Sequence, residues 1–183
     1  MKRIFIGSFV NIDKKIYLSL KKDFGGLIVG RWSPLENLHI TFKFIGNIEE
    51  EKILKIRDCI SPLLDKNIEL SIRFKGLGVF PTLESPKILY IKVEDDDGVL
   101  KNINSFIENS LNEIGFKKEI KPFIPHITVN RIKETKLNQF IEKLKKYQNI
   151  SFGAEKNINV DIIESLTLPT GAVYKKLDFG EIR

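Results

Sequence analysis

Apolar and polar residues along this chain follow two rhythms. Apolar runs or period-two alternation mark strands at Ile4 to Val10, Leu27 to Trp32 and Leu38 to Ile45, the last closed by Gly46. Leu70, Ile72 and Phe74 alternate with polar residues, and Gly76 and Gly78 are expected to break that strand before Phe80-Pro81. Further strands are expected at Lys87 to Val93 and at Phe123 to Arg131, entered through Pro122 and Pro125. Ile158, Val160 and Ile162 read as one strand running through a bulge to Leu168. A turn at Pro169-Thr170-Gly171 leads to a closing strand from Ala172 to Phe179.

Helical spacing intervenes four times. Ile16, Leu20 and Phe24 follow a cap at Asn11 and stop at Gly25-Gly26. Ile53, Ile56, Ile60 and Leu63 follow Glu49 to Glu51, whose charge suits a helix amino end, and Pro62 terminates them. Leu100, Ile103, Ile107, Leu111 and Ile114 stop at Gly115, and Leu137, Phe140, Ile141 and Leu144 mark the last helix. Hairpin-like connections between these elements predict an α+β fold rather than a doubly wound sheet.

Within that pattern, two strands share one motif. His39-Ile40-Thr41 and His126-Ile127-Thr128 hold both histidines of the chain. Residues i and i+2 of a strand point to the same face, so each motif presents an imidazole beside a hydroxyl. Six of 183 residues are threonine. Both histidines acquiring one at i+2 by chance has odds of roughly one in a thousand, far below those of a single short match. Two matched pairs make a compact acid–base site. One imidazole takes a proton while the other gives one, which is what opening a cyclic phosphodiester requires. The hydroxyls of Thr41 and Thr128 are placed to hold phosphate oxygens. Lys43 and Arg131 are nearby cations, with Lys43 on the His39 face by alternation and Arg131 on the face opposite His126 unless a bulge intervenes.

Other chemistry has little support. Two histidines, one remote cysteine and no acidic residue inside either motif do not make a zinc ligand set. Asp95-Asp96-Asp97 lacks the spaced ligands of a calcium loop. No nucleophile elbow, Walker loop or dinucleotide fingerprint occurs, so no cofactor is expected. A formal charge of +6 permits a polyanionic partner. A single cysteine, Cys59, suits a reducing compartment. The apolar run after Met1-Lys2-Arg3 is short and lacks a cleavage pattern, and no stretch is long enough to span a membrane. A cytoplasmic, monomeric protein of one domain over residues 1–183 is expected.

The chain resembles the two-histidine (2H) phosphoesterases, and within them the RNA 2′,3′-cyclic phosphodiesterases, also called 2′-5′ RNA ligases. The resemblance is carried by Arg3-Ile4-Phe5-Ile6, by Arg31-Trp32 through Glu36-Asn37-Leu38-His39-Ile40-Thr41-Phe42-Lys43-Phe44-Ile45-Gly46, and by Gly76 to Pro81. Pro125-His126-Ile127-Thr128-Val129-Asn130-Arg131 and Ser165 to Tyr174 complete it. It implies two lobes of pseudo-two-fold symmetry, one antiparallel sheet each, with a cleft between them. It implies metal-independent hydrolysis of a terminal 2′,3′-cyclic phosphate to a 2′-phosphate, with a weak, reversible, ATP-independent joining activity. By position it makes His39 and His126 catalytic, gives Thr41, Thr128 and Arg131 to the phosphate, and sets Phe44 beside the nucleotide. Two other readings fit the same residues: a non-catalytic module for nucleotides or RNA ends, and a phosphodiesterase for a small cyclic nucleotide such as ADP-ribose cyclic phosphate.

Overall fold

The computed structural model describes residues 1–169 and 171–182; the expected turn residue Thr170 lies outside them. Its strands are β1 (Lys2–Phe9), β2 (Ile28–Trp32), β3 (His39–Ile48), β4 (Ile68–Pro81), β5 (Pro86–Glu94), β6 (His126–Thr135), β7 (Ser151–Ile158), β8 (Asp161–Leu168) and β9 (Gly171–Lys176). Its helices are α1 (Lys14–Phe24), α2 (Glu50–Ile60), α3 (Val99–Glu113) and α4 (Leu137–Lys146). The fold is α+β. Strand pairing runs β7-β4-β5-β6-β3-β1-β8-β9, with β2 against β6, and every neighbouring pair is antiparallel.

The path divides naturally at its middle. β3 and β6 pair only at Ile40–Ile127, whereas each is extensively paired on its other side, to β1 and β5. Among the described residues, the two sheets expected from the resemblance are instead one nine-stranded antiparallel sheet, whose two halves, each carrying one motif, join at that single register pair. α2 packs on α3 and α3 on β3, while α1 packs on α4 through Phe24 edge-on to Phe140 and Tyr147. One contiguous apolar cluster runs through both halves.

Several elements differ from their local pattern. The first helix is capped by Asp13, whose Oδ1 accepts from Ile16 N at 3.0 Å, not by Asn11. β4 does not break at its glycines. Gly76 adopts φ +78°, a conformation glycine takes without strain, and its N–H still reaches Ile150 O at 2.9 Å. The strand bulges there and continues. The alternation over Ile158, Val160 and Ile162 straddles two strands, β7 and β8, which sit on opposite flanks of the sheet. The closing strand stops at Lys176, and Phe179 begins a short 3-10 turn.

Two bulges decide which side chains reach the site. Between β1 and β3 the register jumps from Gly7–Thr41 to Ile6–Lys43, skipping Phe42. Between β5 and β6 it jumps from Tyr90–Thr128 to Leu89–Asn130, skipping Val129. Each bulge turns two successive residues inward: Phe42 and Lys43 in one half, Val129 and Asn130 in the other, all buried. The fifth residue after each histidine, Phe44 or Arg131, returns to the exposed face. The expectation for Lys43 is therefore corrected. It is 4% exposed and lies under the sheet, where Nζ donates to both carboxylate oxygens of Glu108 at 2.8 Å and to Lys117 O at 3.0 Å.

Candidate active site

Ile40 and Ile127 are fully buried on the core side, so the residues flanking each turn outward. Antiparallel register about that pair sets His39 across from Thr128 and His126 across from Thr41. Both histidines and both threonines are partly exposed. The two motifs are thus related by a local two-fold axis through the isoleucine pair.

The imidazoles are held alike. His39 Nδ1 lies 2.6 Å from Asn37 O, and His126 Nδ1 lies 2.7 Å from Ile124 O. A carbonyl only accepts, so Nδ1 carries the proton in both rings. Nε2 is then the working nitrogen of each, able to accept a proton when neutral and to donate one when charged. Aromatic rings wall each imidazole. Phe5 and Tyr174 stand 4.7 and 5.0 Å from His39, and Phe80 and Tyr90 stand 5.0 and 5.3 Å from His126, centroid to centroid. Burial pushes both histidines below their ordinary value of 6.5. The charge of Arg131 lowers both further, and His126 lowers His39. The bulge that skips Val129 puts Arg131 on the exposed face, which answers the question that alternation raised.

Asn37 has two jobs. Besides its carbonyl bond to His39, its Nδ2 donates to Ala172 O at 2.7 Å and its Oδ1 accepts from Tyr174 N at 3.2 Å. These bonds fasten β9 beside the first motif and bring Tyr174 onto the imidazole. Asn37, Tyr174 and Arg131 also line a cavity of about 380 Å³ whose other walls include Arg31, Trp32 and Glu36. Phe44 stands elsewhere on the outward face, 51% exposed, with the Arg3 guanidinium 5.0 Å from its ring centroid. Asn37, Tyr90, Tyr174 and Arg31 had drawn no role from the sequence pattern. Only Asn37 left a local hint there, as an amide two residues before a strand histidine. Among the described residues, no three His, Cys, Asp or Glu side chains cluster as a metal site.

Residues 30–178 match the model of the AKAP7 2′5′ RNA ligase-like domain. The chain belongs to the 2H phosphoesterase family. Among similar members is the RNA 2′,3′-cyclic phosphodiesterase of Aquifex aeolicus, 30% identical over 94% of this chain and 93% of that protein. The RNA 2′,3′-cyclic phosphodiesterase of Archaeoglobus fulgidus is 32% identical, over 96% and 97%. The 2H phosphoesterase fold also recurs in solved structures. TT0787 of Thermus thermophilus superposes with a TM-score of 0.77 at 20% identity, covering 96% of this chain and 95% of that one. Apo LigT of E. coli superposes with a TM-score of 0.68 at 16% identity, covering 97% and 95%. No helix among the described residues is long and apolar enough to cross a membrane.

Proposed function

We propose that the protein is an RNA 2′,3′-cyclic phosphodiesterase working by two-histidine acid–base catalysis. The observation that carries this reading is the matched pair of imidazoles. Each has Nδ1 tied to a main-chain carbonyl and two aromatic rings against it, and burial pushes each below its ordinary value. Activities of the similar proteins from Aquifex and Archaeoglobus point the same way.

In this reading a 2′,3′-cyclic phosphate sits between the rings. Neutral Nε2 of one histidine takes a proton from water, whose oxygen attacks phosphorus. The P–O3′ bond breaks, and the other imidazolium gives its Nε2 proton to the leaving O3′. The products are a 3′-hydroxyl and a 2′-phosphate. Thr41 and Thr128 hydrogen-bond the non-bridging oxygens, and Arg131 offsets the charge that builds on them. An RNA 5′-hydroxyl in place of water gives a 2′-5′ linkage by the same steps, without ATP. Neither a metal nor a cofactor enters the scheme, and the protein acts as a cytoplasmic monomer on RNA or nucleotide ends.

The test is turnover of a nucleoside 2′,3′-cyclic phosphate with product analysis. His39→Ala and His126→Ala are each expected to lose about 10²–10⁴-fold in kcat. EDTA is expected to change nothing, and the product is expected to be the 2′-phosphate. Full turnover in either variant, or loss of activity on chelation, overturns the reading.

A further inference from the structure

Arg31 and Arg131 are register partners across β2 and β6. Directly opposite residues of antiparallel strands share a face and lie closest together, so the two arginine side chains rise from adjacent positions on one face. Both are exposed, and both line the cavity beside the motifs. Like charges in this relation destabilise a sheet. Among the described residues, neither arginine has a carboxylate partner, although Glu36 lines the same cavity. Nor does β2 have room to shift. A Cβ on Gly30 would meet Arg131 O and Asn130 Oδ1, so the two backbones are already in closest approach. Packing thus enforces a repulsive pair at the mouth of the site, and two negative charges on one ligand would turn it favourable.

In the proposed reaction the cyclic phosphate supplies one of those charges, to Arg131. The next anion along an RNA strand is the phosphodiester 5′ of the terminal nucleoside. We propose that Arg31 is a second phosphate site that takes this diester, so that the protein selects an oligonucleotide terminus over a free nucleoside cyclic phosphate. The terminal nucleoside occupies the cavity between the two phosphates, against Trp32 and Tyr174, which offer faces for stacking. The inference rests on the reading of the cleft given under Proposed function.

The experiment compares wild type, Arg31→Gln and Arg31→Lys. The substrates are a nucleoside 2′,3′-cyclic phosphate and a dinucleotide ending in the same cyclic phosphate. Wild type is expected to favour the dinucleotide in kcat/KM, mainly through KM. Arg31→Gln is expected to lower that preference by about tenfold, the worth of one charge-assisted phosphate contact. Arg31→Lys keeps the charge without the guanidinium fork and falls between. The slope of log KM for the dinucleotide against log salt is expected to fall by about one in Arg31→Gln. That variant also melts no lower than wild type, because a repulsion has been removed. A preference unchanged in Arg31→Gln, or equal losses on both substrates, overturns the second site alone. Absence of turnover on both substrates by wild type overturns the cyclic phosphodiesterase reading and this inference together.

Discussion

Ile40 and Ile127 face each other at the one register pair that joins β3 to β6, and neither is exposed to solvent. This contact is the hinge of the site. It turns His39 and Thr41, and His126 and Thr128, toward the same outward face. It also relates the two halves so closely that their burial runs in parallel for six residues, from half-buried histidine to exposed Phe44 or Arg131. The symmetry ends where chemistry differs, with Phe44 on one side and Arg131 on the other.

The pH profile follows from the environment of the rings. Both histidines lie below 6.5, so both are neutral in the free protein at neutral pH. The reaction needs one proton on the pair. The alkaline limb of kcat/KM, which reports the free enzyme, is therefore expected below pH 6.5, with the second protonation closing the bell at lower pH. Arg131→Gln removes a cation that lowers both rings, so its alkaline limb moves to higher pH while its activity falls. Measuring kcat/KM against pH for both proteins checks this, and a limb that stays in place contradicts it.

The same shifts set a stability trend. Between the folded values and 6.5 the unfolded chain binds more protons than the folded one, so stability rises with pH in that window. It is lost as pH falls through the window. Urea unfolding at about pH 5 and about pH 8 is expected to show a lower midpoint in acid, and a smaller difference in a variant with both histidines replaced by Phe.

Asn37→Ala leaves the Ala172 carbonyl and the Tyr174 amide without their partner, at a cost of about 1–3 kcal/mol. The main-chain bond to His39 survives, so the loss at the site is that of Tyr174 packing. The expected outcome is faster hydrogen exchange at the Tyr174 amide together with a lower kcat. Protected exchange at Tyr174 in the variant contradicts the role given to the amide.

Lys43 and Glu108 form a buried pair, with side chains 4% and 11% exposed. Removing one partner strands the other charge, so Glu108→Ala is expected to lower stability by about 3 kcal/mol. Lys43→Met with Glu108→Leu is expected to recover most of that loss. Denaturant midpoints decide the matter: a single variant as stable as wild type shows the pair to be unimportant.

Local pattern was enough for most of the helices and strands and for the two motifs, because period and punctuation are properties of neighbouring residues. It failed where a distant strand intervenes. The glycines of β4 look like breakers until the segment entering β7 supplies the carbonyl of Ile150 that carries the strand through. β7 itself, reading Ser-Phe-Gly-Ala-Glu-Lys-Asn-Ile, lacks the apolar alternation that marks the others.

The sequence alone determined the chemistry available here: two imidazoles, each with a hydroxyl two residues on, in strands flanked by amphipathic helices. What alternation left open was the face of each nearby cation: it put Lys43 on the His39 face and Arg131 opposite His126, and bulges at Phe42 and Val129 bury the first and expose the second. A bulge exists only as a mismatch between two strands. Its position depends on β1 and β5, which lie many residues away along the chain, and no reading of a single strand contains it.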